Sequence, residues 1–155
     1  MERPINIVIV SLNDKFCKSA AQSIADSLDM FKADVKDLIV YDLINPQEVL
    51  EKCGIEYLKN RERGVVRNCS EYYDTVISIS YDLFKPNIDF FQNSLVIYIK
   101  LPEGKQDKIP NKIDYKTRDE FLAENCNLLV ELEQKSIKKC VEKTLQKLGE
   151  YYENC

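Results

Sequence analysis

A chain of 155 residues, 45% hydrophobic and 31% charged, is long enough to enclose the core of one domain and too short for two. Its net charge of −4 argues against a general nucleic-acid binder or a partner for anionic membranes, and no apolar run approaches the roughly 20 residues that span a bilayer. The absence of histidine excludes Ser-His and Cys-His nucleophile pairs and Cys/His zinc sites, so acid–base work falls to Asp, Glu, Lys or Tyr.

The first segment, Met1-Glu2-Arg3-Pro4, carries no signal-peptide pattern. The six cysteines (Cys17, Cys53, Cys69, Cys126, Cys140 and Cys155) are scattered and form no C-x-x-C pair. They read as reduced thiols of a cytoplasmic protein, most of them filling places suited to a small hydrophobe.

An apolar run over 5–11 predicts the first strand, and Ala20, Ala21, Ile24, Ala25 and Leu28 predict a helix from about Lys18 to Leu28. A short strand is expected over 30–33, then a helix capped by Asp34 that stops before Pro46. Asn45-Pro46 opens a further helix, Gly54 breaks it, and a polar helix follows over 55–69. Buried strands are expected over 74–81 and 95–100, with loop composition over 101–111 and a short helix over 118–124. A last strand over 128–132 precedes a helix capped by Ser136, with Ile137, Cys140, Val141, Leu145 and Leu148 on one face. Strands alternating with helices imply parallel β-α-β units and a three-layer α/β/α sandwich.

The junction of the first strand and first helix, Leu12-Asn13-Asp14-Lys15-Phe16-Cys17-Lys18-Ser19, has the strand–loop–helix setting of a phosphate loop. It keeps the Lys-Ser ending of G-x-x-x-x-G-K-[ST] but has Leu12 and Cys17 in place of the two framing glycines. Those glycines let backbone N–H groups curl around phosphate at positive φ, which Leu and Cys adopt only under strain. Cys17, at a helix start between Lys15 and Lys18, is either a thiol of lowered pKa or a buried packing residue.

With Gly54-Ile55-Glu56-Tyr57-Leu58-Lys59-Asn60-Arg61-Glu62 followed by Val76-Ile77-Ser78, the order of motifs resembles that of shikimate kinase. The likeness to this nucleoside-monophosphate-kinase-like P-loop family spans nearly the whole chain. It implies a five-stranded parallel sheet in the order 2-3-1-4-5 and Mg-ATP-dependent phosphorylation of a hydroxyl on shikimate. The resemblance puts Lys18 on the lysine that neutralises phosphate and Ser19 on the Mg²⁺ hydroxyl, with Lys15 and Cys17 in the nucleotide loop. Asp34 falls on the carboxylate that serves metal and substrate, so Lys18 and Asp34 are the candidate catalytic groups. Lys59, Glu62, Ser80 and Arg118 join Asp34 as candidate substrate contacts. Glu62 and Arg118 are expected to face each other as an ion pair.

The family's Asp-x-Asp becomes Asp34-Val35-Lys36, its Gly-Gly-Gly turn becomes Ser80-Tyr81-Asp82, and its long arginine-bearing lid shrinks to about 102–111 without arginine. Phosphoryl transfer depends on positioning and on charge stabilisation, and these changes touch both. The expectation is a degenerate shikimate-kinase-like protein without efficient kinase activity, binding a small anionic metabolite or regulating a protein partner. One alternative is an active Mg-ATP-dependent kinase of shikimate or a similar hydroxy acid. Another is an interaction or dimerisation module using the same face.

Overall fold

The computed structural model describes residues 4–108 and 111–154. Five strands, β1 (Asn6–Ser11), β2 (Phe31–Asp34), β3 (Thr75–Ile79), β4 (Ser94–Lys100) and β5 (Leu128–Glu131), form one sheet in the order β2-β3-β1-β4-β5. Every neighbouring pair is parallel, with Val8 opposite Ile77 on one side of β1 and Val96 on the other. This is the expected strand order.

Parallel strands buried on both faces need apolar side chains pointing both ways, and β1 is buried along its whole length. Ile7 and Ile9 join Leu95, Ile97, Ile99 and Val130 on one face. That face is covered by α1 (Asp14–Leu28) and α7 (Ile137–Glu153). Val8 and Val10 join Ile77, Ile79, Val96 and Tyr98 on the other. It is covered by α2 (Val35–Leu43), α4 (Ile55–Ser70), α5 (Tyr81–Phe84) and α6 (Lys112–Glu124). Each fully buried Val or Ile contributes roughly 1.5–3 kcal/mol, so the central strands anchor both layers. α3 (Pro46–Cys53), by contrast, buries no residue.

Several boundaries differ from expectation. α1 begins at Asp14 and not near Lys18, because Asn13 caps it. α6 begins at Lys112, capped by Asn111, well ahead of the expected start at 118. The segment after β3 is helical: α5, with Phe84 buried, runs into a 3₁₀ segment, Lys85–Phe91, with Phe91 buried. The strand expected to reach Tyr81 ends at Ile79, and no helix was expected beyond it, because these turns are too short to show a helical period. Among the described residues no helix is long and apolar enough to cross a membrane.

Candidate functional site

In a sheet of this kind the C-terminal ends of the strands frame a crevice where order reverses, here between β1 and β3. β1 delivers Ser11 to that edge, and Leu12 and Asn13, both largely buried, make the turn into α1. Asn13 has extended backbone (φ −138°, ψ 103°), and its side chain accepts from the Phe16 N–H at 2.9 Å. The Cys17 N–H then donates to the Asn13 carbonyl at 2.8 Å, closing the first turn of helix. The stretch that aligns with a phosphate loop is therefore helical from Asp14 onward. No residue from 11 to 19 takes positive φ; the described non-glycine residues that do are Asp29, Ile44 and Asp74.

A helix start leaves N–H groups without intrahelical partners. Here Phe16 N–H is taken by Asn13, and Asp14 N–H donates to the Asp107 carboxylate at 2.8 Å. Asp107 arrives on the loop that follows β4. A carboxylate suits this end of a helix, where backbone dipoles favour negative charge.

The candidate side chains divide into those the cleft gathers and those it does not. Lys18 lies on α1 and pairs with Asp37, in the first turn of α2, at 2.6 Å. This hydrogen bond is the main reason its pKa is raised. Asp34 ends β2 and caps α2, accepting from the Asp37 N–H at 3.1 Å and from the Ser78 hydroxyl at 2.6 Å. Ser80 stands before α5 on the cleft wall and Lys15 is exposed on its rim. Ser19 is exposed on the helix, one residue beyond Lys18.

Cys17 turns inward, 2% exposed, and its thiol donates to the Ile9 carbonyl at 3.3 Å. Burial, reinforced by the Asp14 and Asp34 carboxylates, pushes the thiol pKa well up. Of the two readings of this thiol, the structure gives the buried packing residue.

The resulting cleft holds about 250 Å³ and sets Asp14, Asp34 and Asp37 against Lys15, Lys18 and Lys36. Asp14 has a raised pKa, first because its carboxyl is partly buried and next because Asp107 lies beside it. Asp14, Ser78 and Asp107 were not among the candidate side chains drawn from sequence, whereas Lys36, and Asp37 by a shift, stood at the second position of the family's Asp-x-Asp. The cap signature Asn13-Asp14 was a legible signal for the helix start. Nothing local announces Asp107, which reaches Asp14 from 93 residues away.

At the start of α1 the Asp14 and Phe16 N–H groups are occupied, Lys18 is engaged with Asp37, and no residue has the positive φ that makes an anion nest. Among the described residues no group of three or more Cys, Asp or Glu side chains is gathered tightly enough to hold a metal ion.

Solved structures share this architecture over nearly the whole chain. Shikimate kinase from Aquifex aeolicus matches with a TM-score of 0.78 at 17% identity, covering 93% of this chain and 96% of that one. Shikimate kinase from Acinetobacter baumannii, in complex with shikimate, gives 0.77 at 20% identity, covering 96% and 94%. The fold is that of the shikimate kinases. A gluconokinase from Sinorhizobium meliloti also matches, at a TM-score of 0.57 and 12% identity, covering 99% of this chain and 97% of that one. No protein-family profile matches the sequence, and no curated protein is similar to it in sequence.

On this shikimate-kinase fold the remaining candidates lie away from the 250 Å³ cleft. Lys59 is exposed on α4. Glu62, one turn on, is half-buried, and burial raises its pKa against the opposing pull of Lys59. Arg118 stacks on the Tyr81 ring, 4.9 Å from its centroid. The expected Glu62–Arg118 ion pair does not form, because the aromatic face of Tyr81 engages the guanidinium instead. Lys85 approaches the same ring at 5.8 Å. The arginines flanking Glu62 pair elsewhere, Arg61 with Asp42 and Arg63 with Asp89, both at 2.9 Å.

Proposed function

We propose that this chain uses the shikimate-kinase fold without efficient phosphoryl transfer, and that its cleft binds a small anionic ligand. One observation carries the reading: α1 starts at Asp14, and its first N–H is held by the chain's own Asp107 carboxylate. A phosphate at that position would have to expel a carboxylate from the start of α1. It would also have to draw Lys18 away from Asp37, from which it stands at 2.6 Å. Lys15 and Lys36, exposed on the cleft rim, remain to attract a small anion.

Phosphoryl transfer is catalysed by positioned cations and backbone donors around the moving group. Here the Asp14 and Phe16 N–H groups and the Lys18 ammonium are committed within the protein, and the cleft carries as many carboxylates as ammonium groups. The competing reading, an active kinase of a small hydroxy acid, draws support from the fold of the shikimate kinases and gluconokinase it matches.

The test is the thermal midpoint with and without millimolar Mg-ATP or Mg-ADP, on the native chain and on Lys18→Ala. A ligand at about 100 times its Kd adds about 2.7 kcal/mol, a rise of several degrees in a domain of this size. The proposal expects no rise with either nucleotide. A rise that disappears in Lys18→Ala, with turnover of shikimate and ATP, overturns it in favour of the kinase.

A further inference from the structure

The loop after β4 is built as a compact unit. Pro102 to Lys105 close a turn through a 3.1 Å bond from the Lys105 N–H to the Pro102 carbonyl. Gly104 takes φ +85° at its third position, the requirement of a type II turn. The Gln106 side chain braces the turn from within, donating to the Leu101 carbonyl at 3.0 Å and accepting from the Gly104 N–H at 3.1 Å.

This preformed unit is fastened to the β1–α1 turn at three points. The Asp107 N–H donates to the Leu12 carbonyl at 2.7 Å. The Asn13 side-chain amide donates to the Lys105 carbonyl at 2.8 Å. The Asp14 N–H donates to the Asp107 carboxylate at 2.8 Å. Two of the three bonds join backbone to backbone or backbone to a charged group, the kind that fixes a conformation. Asn13 serves both sides, since its oxygen caps α1 while its amide nitrogen holds the loop.

We propose that residues 102–108 are a latch: docking of Lys105 and Asp107 on the β1–α1 turn is what holds that turn in its helical form. The inference rests on the reading of the turn as closed to nucleotide, and adds that the closure is maintained from the far side of the sheet edge. Leu12, Asn13 and Asp14 and the 105–107 segment then open together, not independently.

Two variants separate the latch from the cap. Asp107→Ala removes the carboxylate on the Asp14 N–H. Asn13→Ser keeps an oxygen for the Phe16 N–H but loses the amide donor to Lys105. Amide exchange by NMR and tryptic cleavage after Lys105 report on each. The latch predicts at least tenfold faster exchange at Asp14 and at position 107, and at least tenfold faster cleavage, in both variants, while Phe16 stays protected in Asn13→Ser. The double variant then goes no faster than the faster single. Rates within twofold of the native chain in either variant overturn the latch, as does loosening of only the side that was mutated. These readouts use no nucleotide. A latch that fails leaves the Mg-ATP melting test untouched, and a melting rise with Mg-ATP leaves the latch standing.

Discussion

At position 17 a thiol fills the space between α1 and β1, with its Sγ on the Ile9 carbonyl. Replacing it by glycine to imitate a phosphate loop acts first on packing. Cys17→Gly empties a fully buried site and puts glycine in the first turn of a helix. The two penalties together cost about 2 kcal/mol, or roughly 4–8 °C in Tm for a chain of this size. The prediction is a less stable protein with no gained Mg-ATP shift, read by thermal melts. Asp14 acts in the opposite sense. Its pKa is raised in the folded state, so folding holds its proton more tightly than the unfolded chain does. Stability is therefore unaffected by this group below the ordinary carboxylate pKa and falls as pH rises through the folded pKa. Asp14→Asn removes that cost. It is expected to raise Tm by about 1–2 °C at pH 7, since the carboxyl is only partly buried. The advantage over the native chain shrinks to nothing as pH drops below the unfolded carboxylate range. A Tm difference that does not vary with pH would place the effect elsewhere.

At the scale of elements, the junction of α2 and α3 carries the clearest strain. Ile44 sits at φ 65°, ψ −57°, and the Asn45 N–H reaches back to the Leu43 carbonyl at 2.7 Å, a γ-turn with a β-branched residue at its centre. The Ile44 side chain is 84% exposed, so it recovers nothing by packing. Ile44→Gly is expected to stabilise by about 1 kcal/mol, net of glycine's entropy, and to raise Tm by roughly 2–4 °C. A fall in Tm would mean that the side chain contributes packing of its own. The strands were legible because Ile7 to Val10 and Leu95 to Ile99 are continuous apolar runs and Val76 to Ile79 is broken only by Ser78, as sheets buried on both faces require. The caps Asp34, Asn45 and Ser136 were legible because a side-chain oxygen ahead of a helical pattern has one main use. The start of α1 was misplaced for the reason that makes it informative. Lys18-Ser19 suggested a loop before the helix, whereas Asn13 and the residues replacing glycine extend the helix back to Asp14. Asp107 and the Lys18–Asp37 pair were illegible, since each depends on register between distant elements. Arg118 was identified as a candidate, but its stacking on Tyr81 depends on the unforeseen turn of α5.

At the scale of the molecule, two apolar layers share one sheet. The first is closed by α1 and α7 around Ile24, Cys140 and Leu148, and the second by α2, α4 and α6 around Val35, Phe84 and Leu122. The layers have no side chain in common, yet alternate residues of β1, β3 and β4 belong to each. A strand that loses one layer keeps its hydrogen bonds but exposes half of its side chains, so neither layer persists alone. Ile24→Ala and Phe84→Ala test this, each truncating a side chain with no exposed surface. Each is expected to cost about 3–4 kcal/mol. Calorimetry should show, for both variants, one transition moved down by roughly 6–16 °C with van't Hoff and calorimetric enthalpies equal. A transition that splits in Ile24→Ala but not in Phe84→Ala would mean that α1 and α7 peel away from a sheet still held by the other face. The latch would then have to act on a helix that moves separately from β1. Its fastening at Leu12, Asn13 and Asp14, on both sides of the β1–α1 boundary, instead requires that strand and helix move as one.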